Sequence, residues 1–115
     1  MTLKTPSVSV EAPVPATLSL PEELTIYTAG ELHPRWLEWL QTVPAEGAAV
    51  DIRAESVDQV DAAGLQLLLA LERALTARGA TVSMIASSAA LRSGCEAIGL
   101  ASWLQSHEAT EGAQA

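Results

Sequence analysis

A chain of 115 residues, 49% of them hydrophobic, has the size and apolar content of one folded domain, which excludes intrinsic disorder over its whole length. Fourteen acidic residues against six Lys and Arg give a formal charge of −8, so the basic surface that nucleic acids and anionic membranes require is absent. One cysteine cannot form an internal disulfide, and we find neither a signal peptide nor the roughly 20-residue apolar run of a membrane span, so we expect a cytoplasmic protein without direct membrane insertion.

The two ends of the chain differ in composition from its middle. Residues 1–15 contain three prolines among Ser and Thr residues, and residues 107–115 are polar without apolar periodicity. We therefore predict two flexible tails around one domain at residues 16–106.

The domain begins with two segments of alternating polarity. Residues 16–20 and 24–28 alternate apolar and polar side chains, as strands with one exposed face do, and Pro21 opens a turn between them. The simplest interpretation is a β-hairpin.

A helix with one apolar stripe is predicted next. The stripe repeats at i, i+4, i+7, i+8 and i+11 and consists of Leu32, Trp36, Trp39, Leu40 and Val43. Two starts of this helix are possible. Thr28 and Glu31 form a capping-box pattern, whereas His33 as the cap would place Pro34 at the first helical position. A short distorted turn before the main helix would satisfy both signals.

The second half alternates strands and helices. Residues 48–52 form a short strand, predicted to be central, and residues 53–60 a connection pinned by Val57 and Val60. Asp61 caps the strongest helix, which runs from Ala62 to Arg78 and ends at Gly79.

A third strand and a third helix close the domain. Residues 81–85 form a buried strand, and Ser87 or Ser88 caps a helix that Gly99 ends. Leu91, Cys95 and Ile98 share the core face of that helix, and Leu100, Trp103 and Leu104 fold back over the core edge. The order ββαβαβα predicts an α/β domain with a mixed sheet of four to five strands and helices packed mainly on one face.

The segment around Asp61 carries a recognisable motif. Val50-Asp51-Ile52 ends a strand, and Val57-x-x-Val60-Asp61-Ala62-Ala63-Gly64-Leu65-Gln66 leads into the following helix. This arrangement resembles the central signature of the STAS (anti-sigma-factor antagonist) family, and the resemblance covers most of residues 17–104. It implies a STAS-like single domain that binds proteins through residues 61–67: Asp61, Ala62, Ala63, Gly64, Leu65, Gln66 and Leu67.

The resemblance also implies a phosphorylation site that this chain lacks. In the signalling branch of the family, the residue after the aspartate is a serine that an anti-sigma kinase phosphorylates. Here that position is Ala62, followed by Ala63, and neither residue carries a hydroxyl. The preceding loop is about two residues longer than the family pattern, and its Ser56 is a weak alternative acceptor.

The leucines after the motif suggest an uncovered edge. On a helical wheel, the leucines of residues 65–75 spread over roughly 200°, whereas one core-facing stripe needs about 100°. Either this helix is buried on both sides, or a partner covers one edge, with Leu67 and Leu71 the best candidates.

No residue pattern indicates catalysis, a cofactor or a metal. His33 and His107 have no metal-ligand spacing, Cys95 occupies a core position, and Asp51 and Asp61 are explained as a strand end and a helix cap. Trp36 and Trp39 are expected in the core, although one indole at the surface would serve as an interface anchor.

Three candidate functions are consistent with these sequence features. The first is a constitutive adaptor in bacterial signalling, whose partner is an anti-sigma factor, a histidine kinase or a chemotaxis component. The alternative is an accessory subunit on the ATPase of an ABC lipid transporter, a role that single-domain STAS-like proteins also have. A catalytic or small-ligand domain is the third, and the sequence supports it least. The sequence gives neither the partner's identity nor the oligomeric state.

Overall fold

The computed structural model describes residues 16–44 and 47–108, which fold into five strands and four helices. In chain order the elements are β1 (Ala16–Ser19), β2 (Glu23–Leu24), α1 (Ile26–Leu40), β3 (Ala49–Arg53), β4 (Gln59–Val60), α2 (Ala62–Ala77), β5 (Thr81–Ile85), α3 (Ala89–Ala97) and α4 (Ala101–His107). The tail expected at 1–15, and residues 109–115 of the tail expected at 107–115, lie outside the described residues.

The main sheet has three parallel strands in the order β1-β3-β5. Val50 of β3 pairs with Ala16 on one side and with Val82 on the other, so β3 is central, as predicted. A second, two-stranded parallel ladder joins β2 to β4.

The predicted hairpin is wrong, because the second segment turns into a helix after two residues. Every strand pair in the described part of the chain is parallel, so the expected mixed sheet is also incorrect, although the α/β class is confirmed. The alternation at residues 24–28 is misleading because only Leu24 among its apolar residues is buried. Ile26 and Tyr27 are 61% and 88% exposed on the first turn of α1.

The helices cover one face of the main sheet, as expected. Val50 and Ile52 of β3 and Val82 and Met84 of β5 are buried beneath them. Residues between these positions are half-buried or exposed, as the strand period of two requires. The core is aliphatic, with Leu24, Leu65, Leu68, Leu75 and Leu91 among its fully buried side chains. Within the described residues, no helix is both long and apolar enough to cross a bilayer.

Helix α1 begins earlier than either predicted start. Thr25 is the N-cap, its hydroxyl accepts a hydrogen bond from the Tyr27 N–H, and the Thr28 hydroxyl accepts one from the Thr25 N–H. These reciprocal bonds satisfy donors of the first turn. Pro34 therefore lies inside the helix, where it has no N–H to donate to the preceding turn.

The C-terminal elements match the predictions from the sequence, except for the position of Ile98 and the C-terminal end of the domain. Ser88 caps α3 and Gly99 follows it with a φ of +81°, but Ile98 has left the helical conformation and is 42% exposed, so it does not join the core. Helix α4 buries Leu104, and Glu108 forms a bridge with Met84. The folded unit thus extends past residue 106 and includes Glu108.

Candidate docking surface at the starts of α1 and α2

The carboxylate of Asp61 caps two helices at once. One oxygen, Oδ1, accepts a hydrogen bond from the Gly64 N–H of α2 at 2.9 Å. The other, Oδ2, accepts one from the Ile26 N–H at the start of α1 at 3.0 Å. The helix start predicted at Asp61 is confirmed, and this residue also fixes the start of α1 beside it.

The same hydrogen bonds keep Asp61 ionised. Donation from the Ile26 N–H, followed by that from Gly64, holds the pKa of Asp61 below its usual value, against the opposing effect of burial; the Ala63 N–H adds a smaller contribution. Both helix N-termini also favour a negative charge at this point. Asp61 is therefore a structural anion at neutral pH.

Gly64 is required by the close approach of α2 to another part of the backbone. A Cβ atom at this position would overlap the carbonyl of Leu24 and the amide nitrogen of Thr25. The Asp61 N–H donates to the same Leu24 carbonyl at 3.2 Å, so the motif joins α2 to the end of β2 through backbone contacts.

The seven residues predicted to bind a partner divide into exposed and supporting groups. Ala62 and Gln66 are exposed, whereas Asp61, Ala63 and Leu67 are half-buried. Partner contact at this turn stays a prediction, and Gly64 and Leu65, the latter only 1% exposed, are buried. They lie beneath the surface because the first turn of α2 packs its inner side on Leu24.

Two exposed residues that the sequence did not suggest lie beside this turn. Ile26 is hydrogen-bonded to Asp61 through its backbone, and Tyr27 follows it. The Thr25–Thr28 spacing was the available signal, but it lacks the Glu or Gln that makes a capping box recognisable in sequence. We define the helix-start surface as the following six residues: Ile26, Tyr27, Asp61, Ala62, Ala63 and Gln66.

A shallow apolar groove runs between α1 and α2. It is lined by His33, Trp36, Leu37, Leu40, Leu67, Ala70, Leu71 and Ala74. Of the two leucines expected at an uncovered edge, Leu67 is half-buried as predicted, whereas Leu71 is only 6% exposed and belongs to the core. Trp36 is buried and Trp39 packs against the core, so core packing is confirmed for both indoles.

The remaining polar candidates do not form a reaction centre. His33 is exposed beside the groove, whereas His107 lies 2.9 Å from the Glu72 carboxylate. Cys95 is buried, and burial, with a smaller effect of the Glu108 charge, raises the pKa of its thiol. Among residues 16–44 and 47–108, no three or more His, Cys, Asp or Glu residues form a group that could hold a metal ion.

Comparison with known proteins points to one family. The family model described as "Mlab, STAS domain" matches residues 9–106. The crystal structure of a sulfate transporter family protein from Wolinella succinogenes has a similar fold, with a TM-score of 0.66 and 16% sequence identity over 91% of this chain and 86% of that chain. No curated protein matches this chain.

Proposed function

The chain belongs to the STAS domain family, and from that premise we propose that it is a non-enzymatic accessory subunit that binds the ATPase of an ABC-type transporter. Membership of this family supports a protein-interaction or regulatory module in general. The finer assignment draws on the Mlab description of the matching family model and on the transporter family of the similar structure.

One observation carries the proposal: the start of α2 presents exposed side chains on a backbone that is fixed from below by hydrogen bonds and close packing. Ala62 and Gln66 face solvent, while Asp61 and Gly64 hold the turn against α1 and β2. A preorganised surface binds with a smaller loss of conformational freedom than a mobile one. This arrangement suits recognition by a partner without chemistry at the surface.

Because the first two residues of α2 lack hydroxyl groups, phosphorylation at these positions cannot regulate the binding of a partner. A phosphate on the first residue of α2 would add about two negative charges beside an existing carboxylate, which is how the switch works in the family members that this motif resembles. Ala62 and Ala63 cannot accept a phosphoryl group. We propose that the partner is bound at all times, as befits a subunit of a stable assembly.

The test is co-expression of the tagged full chain with the ABC-type ATPase of the same genome. The wild-type chain is expected to retain the ATPase through affinity purification and gel filtration. Ala62→Asp, which replaces a methyl group on the exposed first residue of α2 with a larger, strongly hydrated side chain, is expected to lose at least tenfold of the bound ATPase, because this side chain must be desolvated and accommodated where the partner packs against alanine.

The matched control is Ala89→Asp. Ala89 is also the exposed first residue of a helix, after the Ser88 cap of α3, so the substitution adds the same charge in the same local geometry. Equal losses from the two variants would contradict docking at the start of α2.

A signalling adaptor is the second candidate, favoured by the placement of the Asp61–Leu65 motif at the start of α2, directly after β4. Its partner would be an anti-sigma factor, a histidine kinase or a related regulator. Tagged wild-type chain that retains such a regulator, with Ala62→Asp losing it and no ATPase bound, would favour this function over the transporter role.

A further inference from the structure

The exposed apolar side chains of the helix-start surface lie on a turn whose backbone N–H groups are hydrogen-bonded to side chains. Tyr27 is 88% exposed and Ile26 61%, and they are adjacent on the first turn of α1. The Ile26 N–H donates to Asp61 and the Tyr27 N–H donates to the Thr25 hydroxyl at 3.1 Å. A large aromatic side chain on a rigid turn, left in solvent by its own fold, has the character of an interface anchor.

The two chain segments that supply these helix starts carry charge of one sign. Residues 20–34 and 54–72 contain no Lys or Arg, although they supply both helix starts and the connections that precede them. Glu72 is buried and Glu55 pairs with Arg53. The other carboxylates of these segments are Glu22, Glu23, Glu31, Asp58 and Asp61.

The fold brings several of these carboxylates together. The Asp58 and Gln59 N–H groups donate to the Glu22 carbonyl at 2.9 and 3.1 Å, so the two acidic loops are adjacent. Glu22, Glu31 and Asp58 are exposed. Asp61 connects the loop before α2 to the first turn of α1, so the acidic loops border Ile26 and Tyr27.

From this arrangement we infer that Ile26 and Tyr27 are the apolar anchor of an interface whose partner surface is basic, with an apolar pocket surrounded by Arg or Lys side chains. Complementary charge speeds association and selects partners, while a desolvated aromatic anchor supplies most of the affinity. A second copy of this chain is a poor occupant, because its own helix-start surface would bring acidic groups against acidic groups. The inference rests on the proposed docking function and adds the chemistry of the partner.

The probe is a synthetic 18-residue amphipathic peptide of Leu, Ala and Arg, compared with one in which Glu replaces every Arg. Each is titrated into the isotope-labelled full chain, and backbone amide shifts are followed by NMR at low and high salt. The Arg peptide is expected to shift the amides of Ile26, Tyr27, Ala62 and Ala63 most, and raising salt from about 50 to 500 mM is expected to weaken its binding at least tenfold. The Glu peptide is expected to leave these amides unchanged.

Two pairs of variants separate a specific anchor from general attraction to an acidic protein. Tyr27→Ala is expected to weaken Arg-peptide binding about tenfold. The matched control, Ile98→Ala, removes an exposed apolar side chain outside this surface and is expected to bind as wild type. Asp58→Asn is expected to weaken binding at low salt only, whereas Glu96→Gln, an exposed acid on α3, is expected to have no effect.

The inference is overturned if both peptides bind equally, if the largest shifts lie outside the helix-start surface, or if a folded Tyr27→Ala binds as tightly as wild type. These outcomes differ from failure of the proposed function, since the peptide titration uses no ATPase. ATPase binding that Ala62→Asp abolishes and Tyr27→Ala leaves intact would contradict this inference alone. Specific peptide binding by a chain that never retains the ATPase would contradict the transporter assignment alone.

Discussion

At the scale of single residues, the Asp61–Gly64 pair explains why this motif has its spacing. The aspartate must cap α2 and reach the first N–H of α1, and the glycine must let the turn rest on the Leu24 carbonyl. The sequence alone predicted the cap, because that bond is local. It could not predict the bond to Ile26 or the burial of Gly64, because both depend on where α1 begins.

Gly64→Ala is expected to destabilise the fold by about 2–3 kcal/mol, because the added methyl group forces α2 away from a backbone carbonyl that cannot move freely. Gly30→Ala is the control: this glycine lies in α1 with open space around it, and alanine there is expected to stabilise by about 0.5–1 kcal/mol. Urea unfolding of both variants checks the prediction. Similar effects of the two substitutions would show that the close approach at Gly64 is unimportant.

Asp61→Asn is expected to destabilise the protein at pH 7 and to have much less effect at pH 3. The pKa of Asp61 is lowered in the folded state, so its contribution to stability is present above the unfolded value of about 3.9 and is lost as pH falls through the lower folded value. An asparagine keeps one acceptor oxygen but cannot accept from both Gly64 and Ile26. Thermal unfolding of the wild type and of Asp61→Asn between pH 7 and pH 3 tests this prediction. A difference in Tm between the two proteins that grows as the pH falls would contradict it.

At the scale of elements, the long helices and the central strand were predictable and the short parallel ladder was not. Helix α2 follows a local cap and a long apolar pattern, and β5 was predicted at its observed bounds, Thr81–Ile85. Strands β2 and β4 have two residues each, too few for any periodicity to register. The start of α1 was missed because Pro34 suggested a later beginning, whereas the Thr25 cap and Asp61 stabilise the preceding turns.

Helix α4 is held to α2 by a buried carboxylate, which the sequence interpretation had not recognised. Glu72 accepts hydrogen bonds from the Thr76 hydroxyl at 2.8 Å and from the Trp103 indole N–H at 3.3 Å, and His107 Nε2 lies 2.9 Å from it. Because this buried group is fully partnered, its removal leaves donors unsatisfied. His107, which was assigned to a tail, therefore contributes to the attachment of the last helix.

Glu72→Leu is expected to loosen α4 and to expose Cys95 to alkylation about tenfold faster than in wild type. The wild-type thiol is expected to react slowly because it is fully buried and its pKa is raised. His33→Ala, which removes an exposed histidine, is the control and is expected to leave the rate unchanged. If Cys95 is alkylated at the wild-type rate in the Glu72→Leu variant, the Glu72 carboxylate does not hold α4 in place.

At the scale of the whole molecule, the proposed docking function depends on what the fold leaves exposed. The helices are packed onto one face of a parallel sheet, and the starts of α1 and α2 meet in a rigid, acidic surface with two uncovered apolar side chains. The family resemblance directed attention to the start of α2, but only the three-dimensional arrangement adds α1 to it. The match to a STAS family model establishes the family, and the similarity to a solved structure supports the architecture.

The most direct test of docking at this surface is photocrosslinking in living cells of the source organism. A photoreactive amino acid is placed at Gln66, which is exposed on α2, and in a second strain at Glu96, which is exposed on α3. We predict that the Gln66 strain yields one dominant crosslink to the ATPase of an ABC-type transporter and that the Glu96 strain yields none. Crosslinks to that ATPase from Glu96 but not from Gln66 would contradict a docking surface at the start of α2.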